Sequence, residues 1–313
     1  MNSQMFITLL NMSLAGSCAA LAVMLLRLLL KRAPKFLTCL LWGVVFFRLI
    51  CPFSFESALS AFMPARQAIP QEIVYAAQPA IQSEIPPLDA AVNSLLDQPG
   101  LAATPVASAN PIQIYLAFGE GLWVAGAIIL LLYALITGLR LRRRLTGAVL
   151  AEPGVYETDR ILSPFVLGVF RPRIYLPMGL LGVERDYVLA HERAHIRRGH
   201  PIVKLAAYLT LALHWFNPLV WLSFILLSRD LELSCDEAVM KQAGGDVRAE
   251  YSSSLLRISM RNSGLPIPLA FGETGVKGRI KNILNYKKPA FWIVAAGVVT
   301  VAAAATIQKA GFL

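Results

Sequence analysis

The chain has 313 residues, of which 56% are hydrophobic and only 15% are charged, and its mean hydropathy is +0.58. This composition excludes disordered, collagen-like and ordinary soluble chains, and it predicts that much of the protein contacts lipid. The four cysteines have no disulfide-framework spacing, so reduced thiols are expected. No recognition motif accompanies the net charge of +10, so it is interpreted as membrane topology, and no direct nucleic-acid binding is expected.

Four transmembrane helices are predicted from the apolar runs. The first two spans, 6–30 and 36–53, form a transmembrane hairpin, and the first is long enough to cross a bilayer. Basic residues follow the first span rather than precede it, which distinguishes it from a cleavable signal peptide. A third span is predicted at 111–139, and the segment 289–313 contains the fourth span and a short tail. The lipid bilayer is therefore the first expected partner.

The charges in the connecting segments predict the orientation. The loop 54–110 contains one Arg and five acidic residues, whereas 140–288 contains 22 Lys and Arg against 13 Asp and Glu. The positive-inside rule then places 140–288 in the cytoplasm and both termini and the loop 54–110 outside. The loop is rich in Pro and Ala and is expected to be largely irregular. The sequence thus predicts a multi-pass protein of the cell membrane.

All four histidines fall within 24 consecutive residues, and two of them belong to an HExxH motif made by His191, Glu192 and His195. Residues four apart share one face of a helix, so both imidazoles can bind one Zn²⁺. Glu192 then lies beside the metal as the catalytic general base for a water molecule. The alternative is a pair of hydrogen-bonded surface histidines. The motif favours a catalytic zinc site with an open position for water.

The third zinc ligand is predicted to be Glu232. The apolar stretch 201–227 has the length of a membrane span, but Asn217 and Pro218 favour a turn and a new helix start at its middle. The stretch then becomes a membrane-associated helical hairpin with arms of about 20 Å, which returns Glu232 to the level of the HExxH helix. Asp236, one turn later, is predicted to orient a ligand histidine through its distal N–H.

Three other polar residues of this region are interpreted as structural. Cys235 follows Glu232 by three residues and is expected to be a packed thiol rather than a soft zinc ligand. His200 and His214 are expected to be a cap group and a turn group. The predicted ligand set is therefore His191, His195 and Glu232.

Several motifs together resemble the membrane zinc peptidases of the BlaR/MecR type, the M56 peptidase family. The resemblance implies a predominantly α-helical membrane protein with a cytoplasm-facing, gluzincin-like zinc peptidase domain at 140–288 that contains a small β-sheet. The runs 154–157 and 173–176 are expected to form that sheet, whose edge strand would hold a peptide substrate. The motifs that carry the resemblance are Phe47–Ser54, Ser163–Gly168, Arg171–Pro177, Leu189–Ile196, Trp215–Trp221 and Asp230–Ala238.

Two departures from the family limit what the resemblance implies. The sequence given stops shortly after the last predicted span, so the penicillin-binding sensor domain of the antibiotic receptors is not expected and β-lactam sensing is not carried over. In addition, His200 stands where family members commonly have Asp.

The resemblance implies an integral-membrane zinc endopeptidase that acts on the cytoplasmic side in transmembrane signalling, by cleaving itself, a transcriptional regulator, or both. The connection 262–288, with a basic run interrupted by Gly278, is the candidate segment for self-cleavage. The expected partners are the bilayer, a protein or peptide substrate such as a cytoplasmic repressor or the chain itself, and a second copy in a homodimer. Two alternatives stay open, an HtpX/Ste24-like quality-control metalloprotease and a non-catalytic zinc-containing signalling scaffold. Glu192 argues against the scaffold, which needs no general base.

Overall fold

The computed structural model shows a mostly helical chain with one small mixed β-sheet. Two helices, α1 (Ser3–Leu29) and α4 (Pro111–Arg144), contain stretches that are long and apolar enough to cross a membrane. The predicted fourth span and most of the loop 54–110 lie outside the described residues. The structure describes residues 3–30, 33–51, 69, 86–96, 111–243, 245–261 and 275–286.

Three helices differ in length or place from the sequence prediction. Helix α2 (Lys35–Ile50) has 16 residues, about 24 Å, which is shorter than the hydrocarbon core of a bilayer. The predicted second span therefore stays a prediction. Helix α4 continues five residues beyond the predicted span, because the long side chains of its final arginines can reach polar surroundings. A helix, α3 (Pro86–Leu96), begins at two prolines within the loop expected to be irregular.

The HExxH motif lies on α5 (Gly182–Arg197), which is followed directly by α6 (His200–Leu213). Gly199 joins the two helices with a left-handed φ of 65°, a conformation that favours glycine. The next helix, α7 (Pro218–Gln242), begins as the sequence predicts, since the Asn217 side chain accepts a hydrogen bond from the Leu219 amide and Pro218 occupies the first helical position.

The turn between α6 and α7 is bonded to the middle of α1. The Asn217 amide donates to the hydroxyl oxygens of Ser13 at 2.8 Å and Ser17 at 2.7 Å. Thirteen residues later, Asp230 accepts two hydrogen bonds, of 2.7 and 2.8 Å, from Arg27 near the end of α1. Helix α7 therefore runs beside α1 over about 20 Å. These contacts place Asp230 close to the predicted membrane boundary of the first span.

The two helical hairpins share one hydrophobic core. Buried side chains of α1, α2, α6 and α7 pack together around Trp42, whose indole N–H donates to Asp230 at 3.0 Å. The carboxylate of Glu237 accepts a hydrogen bond from the backbone amide of Lys35 at 2.8 Å. Helix α7 is therefore held by the amino-terminal hairpin at two carboxylates that flank Glu232.

The sheet has four strands in the order β1-β2-β4-β3, namely β1 (Val149–Glu152), β2 (Val155–Thr158), β3 (Phe165–Leu167) and β4 (Arg173–Pro177). Strands β2 and β4 pair in parallel, whereas β1 and β3 pair antiparallel at the two edges. The two runs expected from the sequence are thus the inner strands. Neither of them is an edge strand. The edge strands could not be predicted from the sequence, because local sequence does not record which neighbours a strand pairs with.

The sheet and two further helices enclose the HExxH helix. Buried residues of β2 and β4 pack against Val188 and Leu189 of α5. Helices α8 (Arg248–Arg261) and α9 (Val276–Leu284) form a core with the end of α7 that includes Tyr251. The motif helix consequently lies between the sheet on one side and α7, α8 and α9 on the other.

Candidate metal centre

Helix α5 presents His191, Glu192 and His195 inward, and all three are buried. The helix has an acidic residue in its first turn and basic residues in its last, which is the charge distribution that a helix dipole favours. Apolar residues of the same helix pack on the sheet, and this packing fixes its rotation. The predicted helix is confirmed, with its start at Gly182 and its end at Arg197.

Helix α7 brings Glu232 to the two histidines. The Nε2 atoms of His191 and His195 are 3.2 Å apart. The Glu232 carboxylate oxygens lie 3.3 Å from Nε2 of His191 and 3.5 Å from Nε2 of His195. A tetrahedral zinc ion with ligands at 2.0 to 2.2 Å needs ligand atoms about 3.3 to 3.6 Å apart. The three separations lie within or just below this range, and two nitrogen donors with one carboxylate form a ligand set that suits zinc.

The other ring nitrogen of His191, Nδ1, lies close to Tyr251, Asp236 and Arg279. Its Nδ1 lies 3.0 Å from the hydroxyl oxygen of Tyr251 and 3.2 Å from Oδ1 of Asp236. Tyr251 donates its own proton to Asp236 at 2.7 Å, so its oxygen is free to accept. These acceptors favour a proton on Nδ1, which leaves the lone pair of Nε2 facing Glu232. Asp236 thus lies where an orienting carboxylate would be needed.

His200 contacts the other motif histidine, although it was expected to be a cap. It opens α6, but its ring is buried and its Nδ1 lies 3.0 Å from Nδ1 of His195. Burial and the nearby charges of His195 and Lys204 lower the pKa of His200 to about 3. A neutral His200 can accept the Nδ1 proton of His195, which leaves Nε2 of His195 as a lone pair. The imidazole thereby takes the place of an orienting carboxylate.

Cys235 lies next to this histidine pair. Its Sγ is 3.4 Å from Nδ1 of His200, and with His195 the three form a second group of potential metal ligands. Burial and the charge of Glu232 raise the pKa of the Cys235 thiol, which disfavours the thiolate that a metal would need. The two groups also compete for His195. The group with Glu232 is therefore the better candidate.

His214 lies apart from this centre. It is buried beside the turn before α7, and its Nε2 lies 2.9 Å from the carbonyl oxygen of Leu49. This contact agrees with the turn role expected from the sequence.

Arg279 of α9 is a site residue that the sequence did not reveal. Its guanidinium donates to both carboxylate oxygens of Asp236, at 2.9 and 2.7 Å, and lies 3.4 Å from Oε2 of Glu232. Burial alone would raise the pKa of Asp236, but the charge and hydrogen bonds of Arg279 hold it below its usual range. In the sequence, Arg279 is one member of a basic run near the last predicted span, and nothing in that run distinguishes it.

Lys204 of α6 is the second cation at Glu232. Its ammonium lies 3.2 Å from Oε1 of that carboxylate. Burial acts to raise the pKa of Glu232, but the charge of Lys204 and the contacts with both imidazoles outweigh it and hold the pKa well below its usual range. Glu232 is therefore ionised and able to act as a ligand.

Replacement of Arg279 is expected to loosen the centre. The Arg279→Gln variant leaves the fully buried Asp236 carboxylate without its cation, and breaking such a pair costs about 3 to 5 kcal/mol. A lower thermal midpoint is expected, and zinc affinity should fall about 10- to 100-fold because His191 loses its fixed orientation. Lys277→Gln, an exposed neighbour on the same helix, is the matched control. Equal midpoints and zinc affinities for the two variants would contradict this role.

Comparison with known proteins identifies the family. The model described as BlaR1 peptidase M56 matches residues 7–283. The chain is 32% identical over 135 residues to the regulatory protein BlaR1 of Bacillus licheniformis, which covers 41% of this chain and 22% of that protein. It is 26% identical over 140 residues to the methicillin resistance mecR1 proteins of Staphylococcus aureus and Staphylococcus epidermidis, which covers 41% of this chain and 24% of each relative. The aligned segment thus spans about a quarter of these relatives. Since the family model covers most of the sequence, the chain belongs to the BlaR1 peptidase M56 family.

Proposed function

We propose that this chain is an integral-membrane zinc endopeptidase of gluzincin type. The observation that carries the proposal is the convergence of His191, His195 and Glu232 at tetrahedral spacing, with Glu192 on the same buried helix face. His191 and His195 can each direct the lone pair of Nε2 towards Glu232, because an acceptor lies beside Nδ1 of each ring. Membership of the M56 peptidase family supports the same activity.

The residues divide the chemistry among them. His191, His195 and Glu232 would hold the zinc, which when bound polarises a water molecule and the substrate carbonyl. Glu192 takes a proton from the attacking water and then passes it to the leaving amine. Asp236, Tyr251 and His200 keep the ligand imidazoles in the required tautomer. Burial of the whole group limits the access of bulk water and strengthens each of these electrostatic interactions.

Strand β3 is the proposed docking edge for the substrate backbone. It is an edge strand whose outer side pairs with no other described strand, and it packs beside α5, which carries the HExxH motif. An extended peptide can add to such an edge through backbone hydrogen bonds. The Phe165–Leu167 segment, rather than the inner strands β2 and β4, is therefore the edge that would hold the substrate.

The position of the basic run on a helix affects where the chain could cleave itself. The basic run Lys277, Arg279 and Lys281 lies on helix α9, and Arg279 is engaged with Asp236. A peptidase needs an extended substrate, so a cut within α9 requires the helix to unfold first. We therefore favour the preceding connection 262–274, which lies outside the described residues, as the segment for self-cleavage.

We further propose that the metal centre faces the cytoplasm and that the loop 54–110 is outside, which suits a receptor that passes a signal inward. A membrane-impermeant maleimide applied to intact cells is expected to label Ala77→Cys but not Asp159→Cys, in a background without the native cysteines. Asp159 lies in an exposed turn after β2, so its protection would come from the membrane rather than from burial. Labelling of Asp159→Cys would reverse the proposed orientation.

Zinc affinity is expected to increase with pH. In the metal-free chain, burial and the charge of Arg279 lower the pKa of His191, but hydrogen bonds to Asp236 and Glu232 outweigh them and raise it to about 9. Zinc must displace that proton, so the apparent dissociation constant should fall by about tenfold per pH unit until the pH approaches 9. Chelator competition with the purified full chain, corrected for chelator protonation, measures this. A constant that is independent of pH below 9 would contradict it.

Comparative proteomics tests the endopeptidase proposal against its alternatives. Membranes and cytosol of cells with the native chain or Glu192→Gln are compared for peptide fragments that require the glutamate. Glu192-dependent fragments of a few regulatory proteins support a signalling peptidase. Many fragments from damaged membrane proteins would instead favour an HtpX/Ste24-like quality-control enzyme. Identical fragment sets would favour the non-catalytic scaffold.

A further inference from the structure

We propose that a basic cleft between α1, α2, α7 and α9 binds the phosphate headgroup of an anionic phospholipid. The cleft has a volume of about 370 Å³ and lies beside the carboxyl-terminal end of α1. Residues of four helices line it, and they include four cationic side chains and two asparagines. These residues are Arg27, Lys35, Arg229, Lys281, Asn282 and Asn285.

Two cations of the cleft, Arg229 and Lys281, are not balanced by a carboxylate that lines it. Asp230 is the single carboxylate among the lining residues, and Arg27 and Trp42 already occupy its oxygens. Arg229 and Lys281 are exposed, and neither forms an ion pair with a carboxylate of the described part of the chain. A guanidinium offers a fork of donors that matches two phosphate oxygens, and an ammonium adds a point charge.

Gly278 allows the side chain of Arg229 to lie against α9. A Cβ atom at Gly278 would be 2.8 Å from Nη2 of Arg229, so any other residue would displace the guanidinium. The glycine therefore allows Arg229 of α7 and Lys281 of α9 to line the same cleft. Gly278 interrupts the basic run of the sequence, and its close approach to Arg229 gives a steric reason for a glycine at this position.

The surroundings of the cleft favour a lipid over a soluble phosphate. Leu21, Leu25 and Leu28 of α1 are 49%, 64% and 53% exposed, and their spacing places them on one face of the helix. Leu28 also lines the cleft, so the apolar stripe begins where the cations lie. An amphiphile can place its acyl chains on the stripe and its phosphate among the cations. Basic pockets at the ends of transmembrane helices bind anionic headgroups in this way.

A bound headgroup would connect the membrane to the metal centre. Lys281 lies two residues after Arg279, which holds Asp236 from the same helix. A phosphate shared between α1, α7 and α9 would keep α9 docked and Arg279 in place. The binding itself does not depend on peptidase activity, so its test is separate from that of the proposed function.

The test is binding of short-chain phosphatidylglycerol to the delipidated full chain in detergent, measured by native mass spectrometry. Phosphatidylcholine of the same chain length and inorganic phosphate are the comparison ligands. The double variant Arg229→Gln, Lys281→Gln is expected to bind phosphatidylglycerol about thirtyfold more weakly, or about fivefold for each cation removed. The control Arg171→Gln, Lys241→Gln removes two exposed cations outside the cleft and should leave binding unchanged.

Several outcomes would overturn the proposal. Equal phosphatidylglycerol affinity for the cleft variant and the control would remove the cleft as the site. Equal affinity for phosphatidylcholine would show that the negative headgroup is not recognised, and equal affinity for inorganic phosphate would show a soluble-anion site instead. The single variant Lys281→Gln changes only an exposed side chain and should still weaken binding about fivefold. An unchanged affinity for that variant, with an unchanged thermal midpoint, would also contradict the proposal.

Discussion

The Glu192→Gln variant is expected to keep its zinc and to lose peptide-bond cleavage. Glutamine has nearly the same shape as glutamate but cannot accept the proton of the attacking water. Loss of a general base typically lowers a rate by about 10²- to 10⁴-fold. The ligands His191 and His195 on the same helix are unchanged, so the metal content should stay at one zinc per chain. The measurement is metal analysis together with the cleavage rate of a Glu192-dependent substrate.

A matched control separates this effect from a general disturbance of α5. Asp186→Asn removes another acidic residue of the same helix, but on its exposed side, and should leave both the rate and the metal content unchanged. A Glu192→Gln protein that cleaves at the native rate would remove Glu192 as the general base. Loss of both zinc and activity would instead assign Glu192 a role in holding the metal.

The Glu232→Ala variant is expected to lose the zinc itself. Outer contacts of a metal site are typically worth 10- to 100-fold in affinity, and removal of a direct ligand should exceed that range, so a fall of more than about a hundredfold is expected. Equilibrium dialysis of the purified full chain against a zinc buffer measures it. The control Glu237→Gln changes a carboxylate of the same helix that binds the Lys35 amide, and should retain zinc.

Retention of stoichiometric, tightly bound zinc by Glu232→Ala would exclude Glu232 as a ligand. A second substitution then identifies the alternative site. If the zinc lies between His195, His200 and Cys235, adding Cys235→Ser to Glu232→Ala should release it, because the thiolate would be its only anionic ligand. Zinc that survives both changes would lie elsewhere in the chain.

Local sequence patterns predicted the parts of the protein that depend on neighbouring residues. The bounds of α5 follow from charges and from Gly199, and the start of α7 follows from the cap at Asn217 and from Pro218. Helix periodicity placed His191 and His195 on one face. The sequence also predicted that Glu232 lies near His191 and His195, because the two helical arms of the hairpin have similar lengths and return the chain to the level of α5.

The tertiary structure alone decided the contacts that have no local signal. Arg279 lies 43 residues from Asp236 in the sequence and looks like any other member of its basic run. His200 meets His195 only because Gly199 turns the chain with a positive φ. The outer strands of the sheet and the basic cleft likewise depend on which elements pack together. Helix faces and caps are set by residues a few positions apart, whereas buried ion pairs and strand order are set by the packing of distant segments.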